Sequence, residues 1–347
     1  MNSLTRVENT LNGEPVDRIP VTPIFMAWAA EYAGHSYGAF QRDYRALTAS
    51  LLKMWERFQI DQLTTLSDPY RETADYGASI RFQEHGVCRC ESPLIQNPSD
   101  INKLKRMPID AAPRMLDRIH AIETFHREAG GDVSILGWLE GPLAEFCTLR
   151  TLEAAMTDLL TEPDLFHEAC SVTMDNAVTW ARDQIHAGAD MIGVGDSAVS
   201  LVSADMYREH ILPWHQRLFH GIHDAGGKVR LHICGAIDHL IPDIVHAGVD
   251  VLDIDWMVDL AKARQLVGDK VTLFGQFDPV RVLKEGTPED VTGAARQNIR
   301  DGGPKHFGLM PGCEIPPGTP EENIAAFCPG EGCLMADDLR MDASAMP

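Results

Sequence analysis

The chain has 347 residues, 44% of them hydrophobic, which is enough to bury a large core and suits one α/β barrel. Its net charge of −21 argues against nucleic acid or an anionic membrane as partner, while leaving room for a local basic pocket. No apolar run reaches the roughly 18 residues of a membrane span, and residues 1–12 are polar with no signal-peptide core, so the expected compartment is the cytoplasm.

In chain order, strands are predicted at 18–25, 60–66, 133–139 and 189–195, with an inserted β-hairpin at 76–93. Residues 204–225 show helical periodicity and stop at Gly226 and Gly227. From there strands at 228–234, 249–254, 270–275 and 306–310 alternate with helices at 237–247, 258–267 and 288–301. Such alternation implies parallel strands joined by crossover helices. A count of about eight strands suits a closed barrel better than an open sheet. The expected fold is therefore α/β, a single (β/α)8 barrel spanning the whole chain, with the hairpin as an insertion and an atypical tail at 328–347.

A barrel of this kind carries its active site at the C-terminal ends of the strands. The polar residues predicted there are Asp68, Glu140, Asp196, His232, Cys234, Asp253, Asp255, Gln276, Asp278 and Cys313. His232 and Cys234 form a His-x-Cys pair ending a strand, and alternate strand residues point the same way. Cys313 follows the last strand and opens onto the same mouth. Taken singly, each of the three could be ordinary core. Placed together, they suit zinc, which takes soft sulfur and nitrogen ligands and leaves a fourth position open in catalytic sites. Eight cysteines in a chain of this length do not make a disulfide scaffold.

The sequence resembles the uroporphyrinogen decarboxylase superfamily over about residues 4–327, through "EPVDRIPVTPI", "LSDPYRETADYGASIRF", "GWLEGPLAEF", "GDSAVSLVSADMYREHILPWHQRLF", "LHICGAIDHLIPDIVHAGVDVLDID", "FGQFDPVRVL" and "GLMPGCEIPPGTPEENI". The decarboxylase branch carries an arginine-rich N-terminal segment, whereas residues 21–41 here hold no arginine. The corrinoid-dependent methyltransferase branch is similar in its His-x-Cys and its later Pro-Gly-Cys, matched by His232, Cys234 and Cys313. That resemblance implies a zinc-dependent methyltransferase working with a corrinoid (cobalamin) protein and a small methylated substrate. Methoxy-aromatic O-demethylation is favoured, with a methylcobalamin:thiol (coenzyme M-like) enzyme and a metal-free decarboxylase as alternatives. A non-enzymatic corrinoid- or metal-binding module is a further possibility, and a homodimer is left open.

Within that reading Glu140 is a candidate fourth ligand or proton donor, and Asp68 and Asp196 are further candidate catalytic residues. Gln276 is a candidate for orienting substrate. Trp138, Tyr70, Met26 and Met310 are candidates for an apolar wall against an aromatic ring. Other signals are discounted. His85, Cys88 and Cys90 lie in the hairpin, expected far from the mouth. The "GVGDS" segment lacks the GxGxxG pattern of a dinucleotide site. His210, His215, His220 and His223 share one predicted helix and are expected to be mostly solvated, while Cys328 and Cys333 are expected to be tail residues and not ligands.

Overall fold

A computed structural model describes residues 1–340. Nine strands are defined among them. They are β1 (Gln62–Thr64), β2 (Ser79–Arg81), β3 (Arg89–Ser92), β4 (Ser134–Glu140), β5 (Met191–Gly195), β6 (Lys228–His232), β7 (Val251–Asp253), β8 (Thr272–Phe277) and β9 (Phe307–Pro311). β2 and β3 pair antiparallel as a separate two-stranded ribbon. The other seven form one parallel sheet in the order β1-β4-β5-β6-β7-β8-β9.

Residues 20–22 close that sheet into a barrel. The Leu309 amide donates to the Pro20 carbonyl and the Thr22 amide donates back to Leu309, while the Asp61 amide donates to the Val21 carbonyl. One short segment thus bonds both edges and serves as the eighth stave. Asp61 locks the seam from within. Its fully buried carboxylate takes the Arg6 and Arg18 guanidiniums, each at 2.6 Å, and accepts from the Val21 amide at 2.7 Å.

The strands read as nearly continuous apolar runs because both faces are covered: every residue of β4 and β5 is buried. Inside the barrel Leu136, Trp138, Met191, Val251, Phe274 and Met310 pack with Ile24. Val7 joins the same cluster from the first helix, Ser3–Leu11. The amides of Ser3 and Leu4 bond the carbonyl of Asp132, just ahead of β4, so this helix stoppers the N-terminal end. Only the C-terminal mouth is left open.

The helix predicted at 204–225 is present as a run of turns from Ala204 to Asp224, but it is not uniformly solvated. His215 is fully buried because its ring bridges the Tyr207 hydroxyl and the Asp196 carboxylate, each at 2.9 Å. His220 and His223 lie toward solvent. The tail departs from a long closing helix. After the helix Glu321–Phe327 the chain doubles back, with Cys328, Met335 and Leu339 buried and Arg340 bridged to Arg18. Residues 341–347, the end of the tail singled out by the sequence, lie outside the described residues. No helix among the described residues is long and apolar enough to cross a membrane.

Candidate metal centre at the barrel mouth

β6 ends on His232, and Cys234 follows two residues later; β9 ends on Pro311, and Cys313 follows two residues later. Parallel pairing puts all strand ends at one level, so these two exits converge. His232 Nε2 lies 3.2 Å from Cys234 Sγ and 3.8 Å from Cys313 Sγ, and the two sulfurs are 3.6 Å apart. A tetrahedral ion with bonds of about 2.3 Å to sulfur and about 2.1 Å to nitrogen sets sulfurs about 3.8 Å apart and nitrogen and sulfur about 3.6 Å apart. The trio fits such an ion with little movement. It is also the one cluster of three or more potential ligands that meets this proximity among the described residues.

The imidazole is aimed by a partner on its other nitrogen. His232 Nδ1 donates to Asp253 Oδ2 at 3.1 Å, leaving Nε2 for the sulfurs. Asp253 Oδ1 in turn accepts from Arg230 Nε at 2.8 Å, and the Arg230 guanidinium sits 4.9 Å over the Phe274 ring. The electrostatics of the trio are polarised. The hydrogen bond from Cys313, aided by His232, pulls the Cys234 thiol down to about 3. Sharing that proton with Cys234, and burial, push the Cys313 thiol up. Burial opposes a charged His232, yet the Cys234 thiolate and the Asp253 hydrogen bond raise it well above its ordinary value. One thiolate is thus already favoured.

Beside the trio is a cavity of about 180 Å³ lined by Ile24, Met26, Leu66, Asp68, Pro69, Trp138, Glu140, Gly195, Ser197, His232, Cys234, Cys313 and Glu314. The glycines of "GVG" have a packing purpose here. A Cβ at Gly193 would lie 2.3 Å from Trp138 Cε3, and one at Gly195 would lie 3.0 Å from Trp138 Cζ2. The indole therefore lies flat against β5 and forms one wall. A second, outer chamber of about 510 Å³ shares Pro69, Glu140, Ser197 and Cys234 with the first. Leu152, Leu201 and Met257 border it and remain exposed.

Glu140 lines both chambers. Its Oε1 meets Arg71 Nη2 at 2.6 Å and accepts from Trp138 Nε1 at 3.3 Å, and its amide donates to Glu72 Oε1. Burial pushes its carboxyl up to about 8, with Arg71 pulling the other way and Glu72 adding to the rise. Asp68 pairs with Arg114 at 2.6 Å. Burial opposes its ionisation, but Arg114 and Arg71 hold its carboxyl below the usual carboxylate range.

Several sequence-predicted residues lie elsewhere. Asp196 is fully buried behind the mouth. It accepts from the amides of Ala144 (2.6 Å) and Leu143 at the start of the helix Pro142–Arg150, and from His215. Gln276 holds a neighbouring turn, its amide donating to the Asp255 and Val258 carbonyls. Asp278 caps the turn after β8 through the amides of Val280 and Arg281. Met310 is enclosed below the cavity, its sulfur 2.9 Å from Arg230. Tyr70 faces the hairpin beside Cys88 and Cys90.

The hairpin itself is not remote from the mouth. Cys88 is buried against Asp68, and that burial together with the Asp68 charge pushes its thiol up to about 12. Phe82 stacks under the Arg114 guanidinium, 4.8 Å away. The sequence reading missed Arg71, Arg114 and Glu314. Arg71 and Glu314 stand in quoted motifs, one beside Tyr70 and the other beside Cys313, and that adjacency was the available signal.

The fold and site define a (β/α)8 barrel with one histidine and two cysteines clustered at its mouth. The chain belongs to the uroporphyrinogen decarboxylase (URO-D) family, whose profile matches residues 2–329. It is 25% identical over 337 residues to a methylcobamide:CoM methyltransferase MtaA of Methanosarcina barkeri, covering 93% of this chain and 95% of that one. It is 26% identical over 330 residues to an MtbA of Methanosarcina mazei, covering 92% and 94%. It is also 26% identical over 337 residues to a uroporphyrinogen decarboxylase of Nostoc punctiforme, covering 91% and 92%. Among solved structures, a methyltransferase from Methanosarcina mazei superposes with a TM-score of 0.85 at 22% identity, covering 94% of this chain and 97% of that one. That likeness establishes the fold.

Proposed function

We propose that this protein is a zinc-dependent methyltransferase that moves a methyl group between a small methylated substrate and the cobalt of a corrinoid carried by a partner protein, with methoxy-aromatic O-demethylation as the favoured reaction. The observation that carries the reading is the convergence of one imidazole and two thiols beside a small apolar cavity. The methylcobamide:CoM methyltransferases among its relatives support corrinoid chemistry.

Zinc held by His232, Cys234 and Cys313 would supply Lewis acidity at the ether oxygen as charge develops there. In the demethylating direction the carbon–oxygen bond would break with its electron pair kept on oxygen, and the partner protein's corrinoid would supply the nucleophile that accepts the methyl. Glu140 lines the cavity, and burial pushes its carboxyl up to about 8, so it would give the oxygen a proton. Trp138, Ile24, Met26 and Leu66 hold the ring and exclude water. The outer chamber gives the corrinoid a separate approach to the same centre, which an in-line transfer between two reactants needs. Asp68, buried against Arg114, would fix the floor between them.

Size and charge weigh against the alternatives. The inner cavity, about 180 Å³, is close to the ~150 Å³ that holds one benzene ring, which suits a single ring. No lysine or arginine lines it, so a thiol bearing a sulfonate, or a polycarboxylate, would lack a cationic partner. The test is incubation with a reduced corrinoid protein and a panel of methoxy-aromatics, methylamines and methylthiols, read by methylcobalt absorbance. The wild type is expected to methylate cobalt, and Cys313→Ala to lose both bound zinc and transfer. Full zinc content in Cys313→Ala would refute the ligand set.

A further inference from the structure

Two short helices behind the mouth, Arg71–Asp75 and Pro142–Arg150, bury a set of carboxyl and hydroxyl groups. The carboxyls are Glu72 and Glu145 on the helices and Glu140 at the end of β4. The Arg71 guanidinium lies 2.6 Å from Glu140 and 3.7 Å from Glu72, and among the described residues no other lysine or arginine is within ion-pair distance of the three. Full ionisation would set three buried negative charges against one positive charge, which is costly.

The hydroxyls beside Glu145 show where a proton sits. Thr73 Oγ1 lies 2.9 Å from Glu145 Oε1 and 2.5 Å from Thr148 Oγ1, and Thr148 Oγ1 lies 2.8 Å from the Glu145 carbonyl oxygen. Each of these three contacts between oxygens needs one hydrogen. The two hydroxyls bring two, and a carbonyl brings none, so the third belongs to the Glu145 carboxyl. Glu145 then donates to Thr73, Thr73 to Thr148, and Thr148 to the carbonyl. Burial and the Glu72 charge push the same carboxyl well above its ordinary value. One end of this run is open, because Thr148 lines the outer chamber. At the other end Glu72 accepts from the Glu140 amide at 2.9 Å. Oε2 of Glu72 and Oε2 of Glu145 are both buried with no hydrogen-bond partner.

We propose that Thr148, Thr73, Glu145 and Glu72 form a proton relay from the outer chamber to Glu140, restoring the proton that Glu140 gives to the leaving oxygen. This rests on the proton-donor role of Glu140 above. In each cycle the O–H of Glu145 turns from Thr73 toward Glu72 and breaks as an O–H forms on Glu72, which hands the proton to Glu140. Glu145 is recharged by the Thr73 hydroxyl, Thr73 by Thr148, and Thr148 by water in the outer chamber. Arg71 keeps its own proton throughout.

Infrared spectra of the zinc-loaded protein without corrinoid test the stored proton. A protonated-carboxyl band is expected at neutral pH, lost in Glu145→Gln and shifted in Thr73→Val, two replacements that keep the shape of the side chain. If Glu145→Gln removes no such band, the proposal is overturned. Turnover with the best donor of the panel above and excess reduced corrinoid protein tests the relay. Both variants should slow steady methylation about tenfold. They should also methylate the first equivalent of cobalt faster than those that follow, a burst absent from wild type, and only the slow phase should carry a solvent deuterium isotope effect. Variant rates equal to wild type, or slowing without the burst and the isotope effect, would overturn the relay. A wild type that shows the Glu145 band but methylates no cobalt with any donor would sink the methyltransferase reading and the relay with it, leaving Glu145 as a buried acid.

Discussion

Asp253 decides how His232 presents its ring. By accepting from Nδ1 it leaves Nε2 facing the sulfurs, and by pairing with Arg230 it is itself held in place. Partners of this kind are worth about 10–100-fold in metal affinity where they have been removed from other sites. Asp253→Asn is therefore expected to weaken zinc binding by about that factor, measured by competition with a chromophoric chelator, with the fold retained in circular dichroism. An affinity equal to wild type would show that the ring needs no such support. At this scale the clustering of His232, Cys234 and Cys313 was legible in the sequence because imidazole and thiol chemistry is carried by residue type, and strand ends announce the mouth. Glu314 and Arg71 were not. Nothing in one dimension tells that the carboxylate after Cys313 keeps one buried oxygen without a hydrogen-bond partner, or that Arg71 reaches Glu140 from a different strand's loop.

Elements position the site through glycine as much as through apolar residues. β4 and β5 register Trp138 opposite Gly193, and the indole occupies the space a side chain would need. Gly193→Ala should push the ring into the cavity, with destabilisation of about 1–3 kcal/mol from overpacking. A lowered thermal midpoint and a shifted tryptophan emission would report it, and an unchanged emission would refute the contact. The parallel strands from 189 onward were readable because burial on both faces yields uninterrupted apolar runs. The hairpin was readable as a hairpin, yet not in its placement. Its pairing is local, but its burial of Cys88 against Asp68 depends on the loop after β1 and on Arg114, which a local pattern does not contain. Asp196 shows the same limit, since its partners are the helix following β4 and His215.

For the whole molecule, the barrel is as strong as its seam. Asp61 gathers Arg6, Arg18 and the Val21 amide at the point where the eighth stave meets β1. Removing one partner of a buried charge cluster costs roughly 3–5 kcal/mol. Asp61→Ala is thus expected to lower unfolding stability by about that much in a denaturant titration, although Asp61 lies at the opposite end from the metal centre. A loss below ~1 kcal/mol would show the seam to be held by backbone pairing alone. The number of staves was legible in advance, with 18–25 read as a strand, but the form of the seam was not, because residues 20–22 make one isolated bridge to Leu309 and accept one backbone bond from Asp61, with no extended ladder.

That seam also sets an order of events during synthesis. Val21 leaves the ribosome long before its partner Leu309. Ile19, Phe25 and Trp28, all buried in the finished protein, belong to the same early stretch, and the Trp28 indole bonds the Thr319 carbonyl. Until β9 emerges these side chains have no place to go, and long-range closure of this kind is slow to form. A nascent chain halted short of Leu309 would carry a sticky segment at 19–28 and an unpaired sheet edge, making it a client for holding chaperones and a substrate for proteolysis.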